Sequence, residues 1–304
     1  MAREEIDRVI DRLEVIFREA PVEITDKVVR FGRATTKDIL AELLSKVEID
    51  GGRFGDFSTN ETALLNAFTK LDKSLSGRDY SNIISSYLLN VEDVTANQIK
   101  FAKVAKDEDV AKLLKSPSGA QVSIIDKTLF DFKQVGIKLY FIEPVKKELF
   151  RAMQLGASIE ETRERLFSIF ADDKILHRWA GQTANDGLRA LSGQINNEIG
   201  QEFGFEKYIY VGGLVEDSRP LCREIVKTYN GELTPKELNK VLSKYRGAGY
   251  LYPNTNAGNF AYIRVIWYNG DLKTSKVRIF FHIYSCTNKV SWVYCPIFIL
   301  CLTC

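Results

Sequence analysis

The chain has 304 residues, of which 45% are hydrophobic, 27% charged and 11% aromatic. This composition predicts a folded protein of one or two domains with a substantial core, and it excludes intrinsic disorder as the default. The 42 lysine and arginine residues nearly balance the 40 aspartate and glutamate residues, so no overall positive charge drives the chain onto nucleic acid or an anionic membrane.

The N-terminus is charged and helical in pattern. It lacks the apolar stretch and the small-residue cleavage site of a secretory signal, which predicts a protein that is made and kept in the cytoplasm. The apolar run after Lys289 is too short for an ordinary membrane helix and contains Pro296, so we expect no membrane partner.

The N-terminal half of the chain is predicted to be mainly helical. Apolar residues recur at spacings of three and four in several segments, namely residues 4–19, 36–47, 60–74, 80–91 and 95–114. The β-branched segment 22–31 leaves strand and helix open, and the glycine-rich segment 51–56 predicts a loop. The Ser116-Pro117-Ser118-Gly119 break favours an internal boundary.

Helices are also predicted after this break, followed by a change of character. They cover residues 144–155, 159–170 and 178–203, and the last is polar with a narrow apolar stripe typical of a bundle or a partner surface. Residues 207–213 predict a strand ending in a glycine turn, and residues 215–226 a turn and a short helix. Ser158 with Glu161, and Thr234 with Glu237, have capping-box spacing at helix starts.

The predicted fold class is therefore α+β, with a mainly helical N-terminal region and long helices that lead into a small C-terminal strand-turn-helix module. The predicted domain limits are 1–115 for the helical region, 120–260 for the part that contains the module, and 261–304 for an atypical tail.

The most distinctive segment surrounds the start of the predicted short helix. Asp217 can accept backbone N–H bonds there, Arg219 can return a charge-assisted bond to Asp217, and Pro220 suits the first helical turn. Cys222 lies on that first turn, where the helix dipole favours the thiolate. These residues predict a turn held together by its own side chains.

This block resembles the shared core of the phage Mu F-like head morphogenesis proteins, in which a strand leads into an Asp-x-Arg-Pro-x-Cys turn after a long polar helix. Asp217, Arg219, Pro220 and Cys222 match the motif, and Gly231 falls where the family has a glycine after the short helix. The resemblance covers about residues 140–260.

The resemblance implies a structural role in the virion rather than catalysis. Members are minor head proteins of tailed bacteriophages or prophages, present in few copies near the portal and acting in head assembly, DNA packaging or ejection. The implied partners are the portal protein and the major capsid or scaffold proteins, and the implied locations are the bacterial cytoplasm during assembly and the virion head. No cofactor is implied.

The tail departs from the family pattern. Members usually continue past the proline loop into a Cys-Arg-His or Cys-Arg-Cys stretch, whereas this chain continues Ala-Tyr-Ile-Arg-Val-Ile-Trp-Tyr. The tail from about Val265 has almost no acidic residues beyond Asp271, and it holds four of the five cysteines. A reading-frame shift and an ordinary terminal β-hairpin rich in aromatic residues are both open interpretations.

Three other functions find weaker support. A zinc site would have Cys222, Cys301 and Cys304 as candidate ligands, with Cys286, Cys295 and His282 as weaker candidates, but the spacing does not form a four-ligand set.

A head-associated enzyme of the ADP-ribosyltransferase or peptidase type is the main alternative function. No catalytic constellation is found in the sequence, however, and His177 is interpreted as a packed or surface residue.

A nucleic-acid-binding internal head protein is the third alternative. Packaged DNA could meet a local row of basic residues on one helical side, although a solvated face is the simpler interpretation; the row comprises Lys236, Lys240, Lys244 and Arg246.

Overall fold

The computed structural model describes residues 2–106, 117–171, 174–202, 207–211, 220–245 and 264–268. The chain divides into two compact units, Met1–Leu191 and Ser192–Cys304. The described elements are mainly helices with short antiparallel strands, so the predicted α+β class is confirmed.

The first unit is built from helices and one short hairpin. Its elements in chain order are α1 (Ala2–Leu44), β1 (Ile49–Asp50), β2 (Arg53–Phe54), α2 (Phe57–Ser74), α3 (Arg78–Lys106), α4 (Gly119–Phe130), α5 (Glu143–Gln154) and α6 (Ile159–Ser168), followed by the first part of α7 (Ile175–Glu202). Helix α1 packs along α3 and against α2, and α5 packs against α2 and α6.

Helix α1 joins three segments that the sequence analysis separated. Residues 22–31, for which strand and helix were open, lie inside this helix. Ile24, Val28 and Val29 are all buried, because their spacing continues the apolar stripe. Pro21 is accommodated within the helix, and its carbonyl oxygen accepts a bond of 2.7 Å from the Thr25 hydroxyl. Burial of the stripe therefore outweighs the β preference of the branched residues.

The predicted loop at residues 51–56 contains the turn and the second strand of a β-hairpin. Gly51 and Gly52 form its two-residue turn with φ angles of 52° and 79°, which glycine adopts without steric cost. Strand β2 then lies against the α5–α6 connection, where the Phe54 amide donates to the Ala157 carbonyl at 3.2 Å and the Ile159 amide donates to the Gly52 carbonyl at 3.0 Å. These hydrogen bonds to residues far along the chain stabilise residues 53–54 as a strand.

The predicted helices at 60–74, 144–155 and 159–170 are confirmed with small shifts of their ends, and the predicted helix at 80–91 is confirmed as part of a longer one. Helix α3 runs through the 80–91 segment and into the 95–114 segment, and residues 107–116 lie outside the described part. Ser158 caps α6 as expected, since its hydroxyl accepts from the Glu161 amide at 3.1 Å.

A continuous helical stretch over residues 119–154 includes a region, 119–142, for which the sequence analysis predicted no element. Between α4 and α5 it widens into two π-helical segments, π1 (Asp131–Val135) and π2 (Lys138–Ile142). Pro144 is the second residue after π2, and a proline has no N–H and crowds the carbonyl four residues earlier. A widened turn before Pro144 relieves that crowding.

Aromatic rings from both sides of the 116–119 break share one core. Phe31 of α1 contacts Tyr80 of α3 with ring centroids 5.0 Å apart, and Phe141 of π2 at 6.0 Å. The Tyr80 hydroxyl also donates to the Phe132 carbonyl at 2.5 Å. The first compact unit therefore continues across the position at which we expected an internal boundary, because burial of these rings holds the two sides together.

The second unit is a small module with its own core. After the end of α7 it contains β3 (Lys207–Val211), α8 (Pro220–Tyr229), β4 (Glu232–Leu233), α9 (Pro235–Lys244) and β5 (Arg264–Tyr268). The strands form an antiparallel sheet in the order β4-β3-β5. Among the residues that the structure describes after α7, the buried apolar side chains come from both helices and β4, and are Leu221, Ile225, Leu233, Leu238 and Val241.

Strand β5 lies near the start of the tail. It pairs with β3 in the register Tyr208↔Trp267 and Tyr210↔Val265. Residues 269–304 lie outside the described part, so the choice between a frame-shifted tail and a terminal hairpin stays a prediction. Across the residues that the structure describes, no helix combines the length and the apolar character that crossing a membrane requires.

Candidate functional site

The motif that carries the family resemblance lies at the start of α8. The helix begins at Pro220, which is the first-turn position that the sequence predicts for this proline. Asp217 and Arg219, with the turn they would form, lie outside the described residues, as does the side chain of Cys222. The predicted bonds within this turn therefore stay a prediction.

The end of α8 is described and has a specific backbone geometry. Asn230 and Gly231 both adopt left-handed conformations, with φ angles of 52° and 78°. The Gly231 amide donates to the Ile225 carbonyl at 3.2 Å, and β4 starts at the next residue. A side chain at Gly231 would strain this reversal. The glycine that the family pattern expects thus lies where the chain turns from helix to sheet.

Helix α9 begins as the sequence predicts. The Thr234 hydroxyl accepts from the Glu237 amide at 3.3 Å, and the Thr234 amide donates to the Glu237 carboxylate at 2.8 Å. Both reciprocal bonds of the capping box are present, and the helix ends at Lys244. This confirms the second capping box in full.

The basic row on α9 is partly engaged within the module. Lys236, Lys240 and Lys244 are exposed, and Arg246 lies outside the described residues. The Glu224 carboxylate of α8 accepts from the Lys244 ammonium at 2.6 Å and from the Tyr245 hydroxyl at 2.7 Å. The hydrogen bond from Lys244, followed by that from Tyr245, holds the pKa of Glu224 below its usual value. One of the three described lysines is therefore already paired.

The described residues contain no metal site that includes the candidate ligands. Within the described ranges, no three or more His, Cys, Asp or Glu side chains come together in a way that could hold a metal ion. Cys301, Cys304, Cys286, Cys295 and His282 lie outside those ranges.

A second site, in the first unit, was missed by the sequence analysis. The Asp131 carboxylate of π1 accepts hydrogen bonds from the Trp179 indole at 2.8 Å, from the Thr183 hydroxyl at 3.0 Å and from the Gly136 amide at 3.1 Å. Gly136 lies under the Trp179 ring, so closely that an added Cβ would fall 2.1 Å from the indole nitrogen. This network fixes one face of α7 against the π-helical segments.

Beside this network lies a surface cavity of about 490 Å³, which we call the α7 hollow. Its lining comes from π2 and from one face of α7, and comprises Tyr140, Ile175, Arg178, Trp179, Gln182, Thr183 and Asp186. Burial raises the pKa of Asp186, although hydrogen bonds from Asn185 and Gln182 and the charge of Arg189 oppose that rise. The hollow thus holds a desolvated carboxylate at one end and an arginine at the other.

One sequence signal pointed toward this face without locating the hollow. The sequence of α7 is polar with a narrow apolar stripe, and we interpreted this helix as typical of a bundle or a partner surface. The distant partners, Tyr140 and Asp131, come from a helical stretch that the sequence analysis did not predict. Their approach to α7 depends on the widened turns of π1 and π2.

Comparison with models of known protein families gives no match to this chain, and neither the curated proteins nor the solved structures yield one. The relation to the phage Mu F-like head morphogenesis family therefore stays a prediction from the motif residues.

Proposed function

We propose that this chain is a structural minor head protein of a tailed bacteriophage or prophage that associates with the portal and acts in head assembly, DNA packaging or ejection. The proposal rests on the motif Asp217, Arg219, Pro220 and Cys222 and on its setting. That setting is a long polar helix, then a strand, then a short helix that begins at Pro220 and ends in a left-handed turn at Gly231.

The small module supports an assembly role better than the nucleic-acid alternative. Affinity for packaged DNA comes mainly from several cations that meet successive phosphates. Here Lys244 is paired with Glu224, and the whole chain carries a net charge of only +2. The enzyme alternative has no described residue constellation that favours it.

The proposal is tested by co-expressing the tagged chain with the portal and major capsid proteins encoded in the same genome segment, followed by affinity purification and sizing. We expect a stable complex with the portal protein. A chain that stays free of every head protein would contradict the proposed role.

A matched pair of variants tests whether the C-terminal module makes the contact. Gly231→Val and Gly52→Val each place a β-branched residue at a left-handed position, with φ angles of 78° and 79°, so both carry a comparable backbone strain. We expect Gly231→Val to reduce portal capture much more than Gly52→Val. Equal capture by the two variants would assign the contact to another part of the chain.

A further inference from the structure

The helical stretch over residues 119–154 carries apolar side chains on its outer side as well as on its packed side. The packed side chains around π1 and π2 are at most 1% exposed, and are Phe132, Ile137 and Phe141. Three further apolar side chains of the same stretch are 47 to 58% exposed, and are Phe130, Val135 and Leu139. A helix that is apolar beyond its core-facing side has a second surface to bury.

The π-helical turns place these exposed side chains in one row. Phe130 and Val135 are five residues apart, and in a regular α-helix that spacing would separate them by about 140° around the axis. A π-turn instead joins residues i and i+5, as the Gly136 amide does when it donates to the Asp131 carbonyl. Leu139 follows Val135 by four residues and continues the row. The widened turns thus gather three scattered apolar residues into one exposed surface.

Two lysines lie on one flank of this row. Lys133 and Lys138 are exposed and line the same surface cavity of about 480 Å³, whose other walls come from the α2–α3 connection and the start of α3. Neither lysine has an ion pair or a hydrogen-bond partner among the residues that the structure describes. Asp72 lines this cavity too, but its carboxylate lies 2.8 Å from the Lys146 ammonium. The flank therefore offers two cations without counter-ions.

We propose that the π ridge, comprising Phe130, Lys133, Val135, Lys138 and Leu139, is a docking surface for an acidic amphipathic helix of a partner protein. The apolar row of the partner helix covers the apolar row of the ridge, and carboxylates beside it pair with the two lysines. The row of the ridge is about 13 Å long at an α-helical rise. This length matches two to three turns of a partner helix with anchors at positions i, i+4 and i+7.

The shape and charge of the ridge favour an acidic helix over an anionic bilayer. The lysines line a cavity that side chains on a helix can enter, whereas lipid head groups present a flat surface. Lipid recognition through charge uses clusters of about four to eight basic residues, and the ridge has two. Asp126 and Lys127, just before the row, are both exposed and balance each other. The ridge lies wholly in the first unit, so this inference does not depend on the proposed head function.

The test uses the full chain and a fluorescein-labelled peptide of about 18 residues, or five helical turns, with leucines on one face and glutamates beside them. The comparator is the same peptide with every glutamate replaced by glutamine. Fluorescence anisotropy should give a dissociation constant on the order of 100 µM for the acidic peptide. The comparator should bind about fivefold more weakly, and added salt should weaken only the acidic peptide.

A matched pair of variants tests the apolar row. Leu139→Ser and Leu65→Ser each remove a helical leucine that is 55% exposed. We expect Leu139→Ser to weaken the acidic peptide about fivefold and Leu65→Ser to leave its affinity unchanged, because Leu65 lies on α2, away from the ridge.

A second pair tests the lysines. Lys133→Gln/Lys138→Gln should reduce the affinity for the acidic peptide to that for the comparator. Lys37→Gln/Lys147→Gln removes the same charge from two other exposed positions and should change nothing.

Sedimentation with vesicles of phosphatidylcholine and phosphatidylserine tests the bilayer, and we expect the chain to stay in the supernatant. Four results would overturn the proposal: no saturable change in anisotropy, equal binding of the two peptides, equal binding by each variant and its control, or vesicle binding that Leu139→Ser abolishes.

Discussion

Replacement of Asp131 by alanine removes the acceptor on which the packing of π1 against α7 depends. Its carboxylate accepts from the Trp179 indole at 2.8 Å, the Thr183 hydroxyl at 3.0 Å and the Gly136 amide at 3.1 Å. A hydrogen bond to a charged acceptor contributes about 1.5 to 3 kcal/mol, and a buried donor left unpaired costs about 1 to 3 kcal/mol.

The three bonds share one acceptor and are partly exposed to water, so their contributions do not simply add. We expect Asp131→Ala to lower the free energy of unfolding by about 3 to 4 kcal/mol. In a folded unit of this size that loss corresponds to a fall in Tm of about 6 to 16 °C. Asp131→Asn keeps one acceptor oxygen and should lose about half as much.

The assay is thermal unfolding followed by circular dichroism, together with hydrogen exchange of the Trp179 indole N–H. Asp126→Ala is the matched control, because this aspartate lies five residues earlier on the exposed face of α4 and should change stability by less than about 0.5 kcal/mol. If Asp131→Ala melts with the control and the indole exchanges no faster, the network does not hold π1 against α7.

Two further expectations concern the contact between α3 and its neighbours. Burial raises the pKa of both Tyr80 and Tyr87 well above the usual value, so the folded state resists ionisation that the unfolded chain undergoes near pH 10. The stability from these phenols is complete below that pH and is lost above it, by about 1.4 kcal/mol per tyrosine and pH unit. Urea titrations should show a shallower alkaline loss in the Tyr80→Phe/Tyr87→Phe double variant, and an unchanged slope would disprove the linkage. Gly187→Ala should destabilise by about 1 to 3 kcal/mol, because the added Cβ would lie 2.4 Å from the Tyr87 hydroxyl oxygen and 2.7 Å from the Thr128 hydroxyl oxygen. Gly119→Ala meets nothing within 4 Å and should melt at or above the temperature of the unaltered chain, so a matching gain in Gly187→Ala would contradict the close packing.

The sequence by itself determined the features that depend on a few neighbouring residues. Ser158 and Thr234 mark the helix starts at which the structure shows their caps, and Pro220 marks the start of α8. The hydrogen bonds of a capping box join residues that are only three positions apart in the chain. Gly231, after α8, is also determined locally, since a left-handed backbone conformation favours glycine whatever residues surround that position.

Only the tertiary structure decided the continuity of α1, the hairpin around Gly51 and Gly52, and the helical stretch over residues 119–154. Each of these depends on burial or on hydrogen bonds between residues far apart in the chain, and local propensity is too weak to specify them. The candidate site in the first unit shows this most clearly. Asp131 and Trp179 are 48 positions apart, and two widened turns and a glycine beneath the indole bring them together. No periodicity in the sequence predicts the contact between this carboxylate and this indole, because the free energy that brings them together comes from burial of the shared core.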